Sequence, residues 1–211
     1  MLKPEFLVFL DGSYFLNEED IHEVHQKNIT NIILKTTWDL ILFLPYLARH
    51  SKFLNKIPQK NKKVKIKYFN YTILEGFSLL KYQLFKWNLG MPQCQNVIAS
   101  SVFIAINMGF KKIYLTGVES SFFKNIIVDE KNEVYLEHLH FYSKEGEKNT
   151  YRLTADPRTH KSTDMAGALM LAVKTFRSYI NIQKYAKYRG VKIYNTTMNS
   201  YIDAFEKIRI F

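Results

Sequence analysis

His160 is the residue whose type and setting most directly suggest chemistry. It stands in the run Arg158-Thr159-His160-Lys161-Ser162-Thr163-Asp164, just ahead of an expected helix. An imidazole titrates near neutral pH, so it suits a general base that takes the proton from an attacking hydroxyl. Arg158, Lys161 and the amino end of that helix offer positive charge to a phosphate. Ser162 is expected to cap the first turn, with Asp164 favouring its positive end. The simpler alternative is a histidine in a surface loop.

A second chemical signal is the run Lys112-Ile113-Tyr114-Leu115-Thr116-Gly117. It reads as a strand with Gly117 at its carboxyl end, where open α/β sheets place their ligand crevice. Two histidine pairs, His22 with His25 and His138 with His140, have ligand-like spacing. No cysteine accompanies them and no His-Glu-x-x-His pattern occurs, so polar surface is the better reading and no metal site is expected. Cys94 is the only cysteine, which excludes an intramolecular disulfide framework and suits a buried small hydrophobe in a reducing compartment.

Positive charge is concentrated in residues 40–74, which carry Arg49, Lys52, Lys56, Lys60, Lys62, Lys63, Lys65 and Lys67 and no acidic residue. Such a stretch is either a solvated basic face or an attachment to an anionic membrane surface through residues 49–67. Tyr68 and Tyr71 read as sheet residues. No RNA- or DNA-binding module is recognisable, so nucleic acid is not the expected partner.

The chain of 211 residues has 30 Lys+Arg against 19 Asp+Glu, for a formal charge of +11, so an anionic partner is expected. With 47% hydrophobic and 15% aromatic residues it has ample material for a core, which excludes a disordered chain. Lys3 and Glu5 interrupt any signal-peptide pattern, and the charge-free stretch 87–110 is too polar for lipid. A cytoplasmic protein is expected, peripheral on the inner face of the membrane if the basic segment attaches there.

Short apolar runs alternate with segments of helical period, which predicts an α/β fold. Strands are expected at 6–10, 40–44, 64–68, 112–117 and 191–194. Residues 46–54 predict a short helix, and the stretch 17–35 reads as helix or loop. A helix over 75–87 is expected to use Phe77, Leu80, Leu84 and Phe85, and one over 96–108 is apolar almost all round and should be buried. The long helix after Ser162 shows a stripe of Met165, Leu169, Ala172, Val173, Phe176 and Ile180 and stops at Gly190. The polar region 120–158 is expected to be a lid or insertion. The predicted class is a Rossmann-like, mainly parallel sheet with helices on both faces, in a single domain over 1–211.

The stretch from Asn96 through Gly109 to Gly117, followed by His160-Lys161-Ser162-Thr163-Asp164 and a long helix into Val191-Lys192-Ile193-Tyr194-Asn195, resembles the bacterial CMP-sialic-acid-dependent sialyltransferases of surface-glycan synthesis. It is also similar to the wider 6-hydroxymethylpterin-pyrophosphokinase-like group, which includes Maf-type flagellin glycosyltransferases. The overlap runs from about residue 95 to about 205, interrupted at 120–158. The resemblance gives His160 the role of general base and assigns Glu119, Ser120 and Asn96 to holding the nucleotide. The turn containing Asn195, Asn199 and Ser200 resembles the one that closes the donor side. Where that family has tyrosines after the strand, this chain reads Ser120-Ser121-Phe122-Phe123; Tyr135 and Tyr142 are the substitutes considered. The family's amino-terminal strand with its Gly-rich loop has no counterpart, as if the chain were truncated by one βαβ unit.

The resemblance implies a glycosyltransferase of polysaccharide, lipopolysaccharide or capsule biosynthesis. It would use a nucleotide-sugar donor such as CMP-sialic acid, a glycan or glycolipid acceptor and no cofactor. A homo-oligomer is allowed by the same reading. The alternatives are a non-catalytic remnant of that family that still binds nucleotide, and a basic nucleic-acid-binding domain. A pterin pyrophosphokinase would need ATP and magnesium, which no P-loop or acidic pair supports.

Overall fold

The computed structural model describes residues 2–15, 23–138, 149–156 and 161–210. The chain divides into two compact units, Met1–Gly109 and Phe110–Phe211. Both are mixed α/β structures built on a small parallel sheet.

The first unit runs β1 (Phe6–Val8), α1 (Glu23–Lys35), β2 (Leu40–Pro45), two 3-10 turns at Tyr46–His50 and Leu54–Lys56, α2 (Ile57–Lys60), β3 (Val64–Phe69), α3 (Ser78–Lys86) and α4 (Val97–Asn107). The three strands are parallel, with β2 in the middle. Leu40, Leu42, Phe43 and Leu44 of β2 are all buried, the uninterrupted apolar run expected of a parallel strand covered on both faces. On β3, Val64 is buried while Lys65 and Lys67 are exposed, and these charges discourage further pairing at the sheet edge. Ile29 of α1 packs with Leu42, Leu44, Leu54, Ile57 and Val64, and each such side chain contributes roughly 1.5–3 kcal/mol on burial. Asn61 closes the carboxyl end of α1 by donating to the carbonyls of Ile33 at 2.9 Å and Thr36 at 2.8 Å.

Helix α4 is buried as its composition predicts, through Ala99, Ser100, Val102, Phe103, Ile104 and Ile106. The Asn96 side chain caps it by accepting from the Ala99 amide at 2.9 Å, and Gly109, at φ +93°, ends it in the left-handed region. The expected inner face of α3 is corrected. Tyr82 and Phe85 are buried, whereas Phe77 and Leu80 face solvent. Apolar residues lie all around this helix, so spacing alone left its orientation open.

The second unit runs β4 (Lys112–Leu115), a 3-10 turn at Phe122–Asn125, β5 (Ile126–Val128), β6 (Val134–His138), β7 (Asn149–Arg152), β8 (Thr154–Asp156), β9 (Lys161–Ser162), α5 (Met165–Tyr188), β10 (Lys192–Asn195) and β11 (Glu206–Lys207). Its parallel sheet has the order β11-β10-β4. Among the described residues of 120–158, β5, β6 and β7 form an antiparallel sheet, and β8 pairs with β9. In place of one mainly parallel sheet, the described residues thus form four separate sheets. Short apolar runs reveal that strands exist but not which strand pairs with which.

Three further expectations are corrected in this unit. Ser162 lies in β9, and Asp164 is the residue that caps α5, accepting from the Gly167 amide at 2.7 Å. The buried face of α5 is Ala168, Ala172, Thr175, Tyr179, Ile182 and Ala186, so Met165, Leu169, Val173 and Ile180 of the predicted stripe are exposed. Tyr179 on this face packs edge-on against Phe205 at 5.8 Å. Strand β11 was not anticipated, because two polar residues carry no strand period.

Candidate functional site

Parallel strands β4 and β10 end side by side, with Leu115 opposite Asn195. The residues just beyond them form a hydrogen-bonded cluster. Thr196 donates from its amide and its hydroxyl to the Leu115 carbonyl, at 2.9 and 2.8 Å. Its hydroxyl also lies 2.9 Å from that of Thr116. Gly117 turns the chain at φ +68°, a conformation in which a Cβ would be strained, and the next amide, of Val118, donates to the Thr197 hydroxyl at 3.0 Å.

The Asn195 side chain accepts from the Thr197 amide at 3.0 Å, and its buried Nδ2 has no hydrogen-bond partner among the described residues. An unmet buried donor costs about 1–3 kcal/mol, so it marks a place where a further acceptor would be stabilising. The Glu119 carbonyl accepts from Tyr201 at 2.8 Å. Ser120, at φ +52°, keeps its hydroxyl 3.2 Å from the buried Tyr179 phenol. Ser200 is buried and takes the Ile202 amide on its hydroxyl, whereas Asn199 is exposed.

The C-terminal segment closes this arrangement. Ile208 donates to the Asn195 carbonyl at 3.1 Å, and Lys207 holds the Ser200 carbonyl at 2.7 Å. An open crevice of about 490 Å³ remains at this edge, lined by Thr116, Thr196, Met198, Arg209 and Ile210. Among the described residues its lining holds a guanidinium and two hydroxyls and no carboxylate. That set suits an anion, because the guanidinium fork offers paired donors to phosphate or carboxylate oxygens.

Of the residues singled out from sequence, Gly117, Glu119, Ser120, Asn195, Asn199 and Ser200 come together around the ends of β4 and β10. Asn96 belongs to the first unit, where its side-chain oxygen caps α4. Arg158 and His160 lie outside the described residues; Lys161 is placed in β9, paired with Asp156. The lining residues Thr116, Thr196 and Arg209 were missed. Only the two Thr residues directly after apolar strands could have pointed to them, and nothing local distinguishes Arg209.

Other chemical signals resolve as follows. Burial pushes the Cys94 thiol up to about 12, against a smaller lowering by a hydrogen bond with Ser100. It therefore stays a neutral, buried thiol. Tyr135 donates to Glu133 at 2.7 Å, and this bond raises its pKa. Tyr142, His22 and His140 lie outside the described residues, and His138 ends β6. His25 packs its ring against Tyr14 at 4.2 Å. Among the described residues no group of three metal-ligating side chains occurs, and no helix is long and apolar enough to cross a membrane.

In the basic segment, Arg49 folds over the Tyr46 ring at 4.2 Å and donates to His50 at 2.8 Å. Lys63 pairs with Asp39 at 3.4 Å. Lys52, Lys56, Lys60, Lys62, Lys65 and Lys67 are exposed, with no carboxylate partner among the described residues. Comparison of the chain with protein-family models, with curated proteins and with solved structures finds no match.

Proposed function

We propose that the chain transfers a sugar from a nucleotide-activated donor to a glycan or glycolipid of the bacterial surface, as a sialyltransferase-like enzyme of lipopolysaccharide or capsule synthesis. The observation that supports this most is the crevice at the carboxyl ends of β4 and β10, which Arg209 lines together with Thr116 and Thr196. This is where parallel α/β sheets bind nucleotides, and the finer, Rossmann-like reading of the fold belongs to the same proposal.

In the proposed step an acceptor hydroxyl oxygen bonds to the anomeric carbon of the donor. The bond from that carbon to the nucleotide phosphate oxygen breaks, and the bonding pair leaves with the nucleotide. His160 takes the hydroxyl proton, while Arg209, with Arg158 and Lys161, offsets the charge gathering on the departing phosphate. The basic segment 49–67 holds the enzyme at the cytoplasmic face of the membrane, where a glycolipid acceptor is presented.

Thermal titration with CMP, UDP and GDP tests the binding half. A nucleotide at a hundred times its Kd stabilises the folded chain by about 2.7 kcal/mol. No shift with any of the three at millimolar concentration would sink the reading. The catalytic half is tested by His160→Ala, which should abolish sugar transfer from CMP-sialic acid while leaving nucleotide-dependent stabilisation in place; full turnover in that variant would remove His160 from the mechanism.

A further inference from the structure

Within a span of eleven residues, Phe77, Leu79, Leu80 and Trp87 are exposed to 89%, 75%, 63% and 61%. Leu89 follows, also more than half exposed. These side chains decorate α3 and its two ends, on the sides not occupied by the buried Tyr82 and Phe85. Scattered exposed apolar residues are ordinary on a protein surface, but a cluster of this size on one short helix marks an interaction surface.

The surrounding charge says what it meets. Residues 40–89 hold ten Lys+Arg, among them Lys81 and Lys86 of α3 itself, against the single acidic residue Glu75. The basic strand and the apolar helix are joined locally, since the Asn70 side-chain Nδ2, just past β3, donates to the Leu89 carbonyl at 3.1 Å. Lys67 also lines a hollow of about 300 Å³ together with Asn88, which sits between Trp87 and Leu89. Aromatic and aliphatic side chains beside lysines that have no carboxylate partner among the described residues match the two layers of an anionic bilayer surface, hydrocarbon below and phosphate above.

We propose that α3 is a membrane-insertion element. Phe77, Leu79, Leu80 and Trp87 enter the acyl boundary of an anionic bilayer while Lys65, Lys67, Lys81 and Lys86 meet its headgroup phosphates. The inference rests on the peripheral attachment proposed above and is independent of the transferase chemistry.

Flotation with vesicles of phosphatidylcholine alone and of equimolar phosphatidylglycerol and phosphatidylcholine tests it. The full chain should float with the anionic vesicles only, and its tryptophan emission should shift to the blue. The shift should vanish in Trp87→Phe, because the chain's other tryptophan, Trp38, is half-buried with its indole N–H on the Pro4 carbonyl at 2.7 Å.

The triple substitution Phe77→Ser, Leu80→Ser and Trp87→Ser should weaken partitioning more than about tenfold while leaving the melting temperature and CMP-dependent stabilisation unchanged. Absence of binding to anionic vesicles overturns the inference, and so does equal binding by the triple variant. Light scattering that shows a dimer of the unmodified chain and a monomer of the triple variant also overturns it, by assigning the patch to a second copy. Loss of nucleotide binding without loss of vesicle binding would count against the transferase alone.

Discussion

The hydroxyls of Thr116 and Thr196 stand 2.9 Å apart although 80 positions separate them in the chain. Each is the first residue beyond its strand, so parallel pairing of β4 with β10 is what brings them together. Thr196→Val keeps the side-chain shape and the backbone bond to Leu115 but removes the hydroxyl's bonds to Leu115 and Thr116. It should lower stability by about 1 kcal/mol, read by urea unfolding, and weaken CMP binding, read by thermal titration.

Arg209 should report on phosphate in particular. Arg209→Ala is expected to weaken CMP by about tenfold or more while changing the binding of uncharged cytidine little, because a charge-assisted bond is worth roughly 1.5–3 kcal/mol. Equal weakening of both ligands in calorimetric titrations would place Arg209 away from the phosphate.

Asn96 separates a structural role from a binding one. Its side chain caps α4, so Asn96→Ala should cost about 1 kcal/mol in urea unfolding, and Asn96→Asp should recover that stability because aspartate caps as well and complements the helix dipole. If Asn96 also touches nucleotide, the aspartate variant will be stable and bind CMP less well; unchanged CMP affinity would leave the cap as its role.

Gly90 is buried at a close approach of two chain segments, where the Leu74 amide donates to the Met91 carbonyl at 3.1 Å and the Met91 amide donates to the Thr72 carbonyl at 2.9 Å. A Cβ at Gly90 would lie 2.7 Å from the Thr72 carbonyl oxygen and 2.5 Å from Leu74. The side chain of Leu74 can turn aside, but the backbone carbonyl cannot without breaking that pairing. Gly90→Ala should therefore destabilise the chain by about 1–3 kcal/mol, measured as a lower urea midpoint.

Cys94 predicts a pH dependence. Its folded pKa of about 12 is raised above that of an unfolded thiol, so the stability linked to it is full below about pH 8.5 and falls as pH rises towards the folded value. The slope contributed is at most about 1.4 kcal/mol per pH unit, and it should disappear in Cys94→Ala. At pH 8 a disulfide reagent should label the thiol only when urea unfolds the chain; fast labelling of the folded protein would contradict the burial.

Local chemistry was legible in the sequence. The apolar run of β2, the predominantly apolar helix α4 and the stops at Gly109 and Gly190 follow from interactions among residues a few positions apart, and each occurs in the structure. The inner faces of α3 and α5 were not legible, because both helices carry apolar residues in more than one direction and the partner surface selects the face. In α5 the buried face includes the small Ala168, Ala172 and Ala186 rather than the larger Met165, Leu169 and Val173.

The sequence by itself determined the α/β alternation, the concentration of positive charge in residues 40–74 and the ends of strands near Gly117 and Asn195, since these depend on composition and short-range pattern. Tertiary structure alone decided that Arg209 joins Thr116 and Thr196 and that α3 turns Leu80 and Trp87 outward. Pairing between distant strands and the packing of a helix on its neighbour are selected by the whole set of long-range contacts, which no local period encodes.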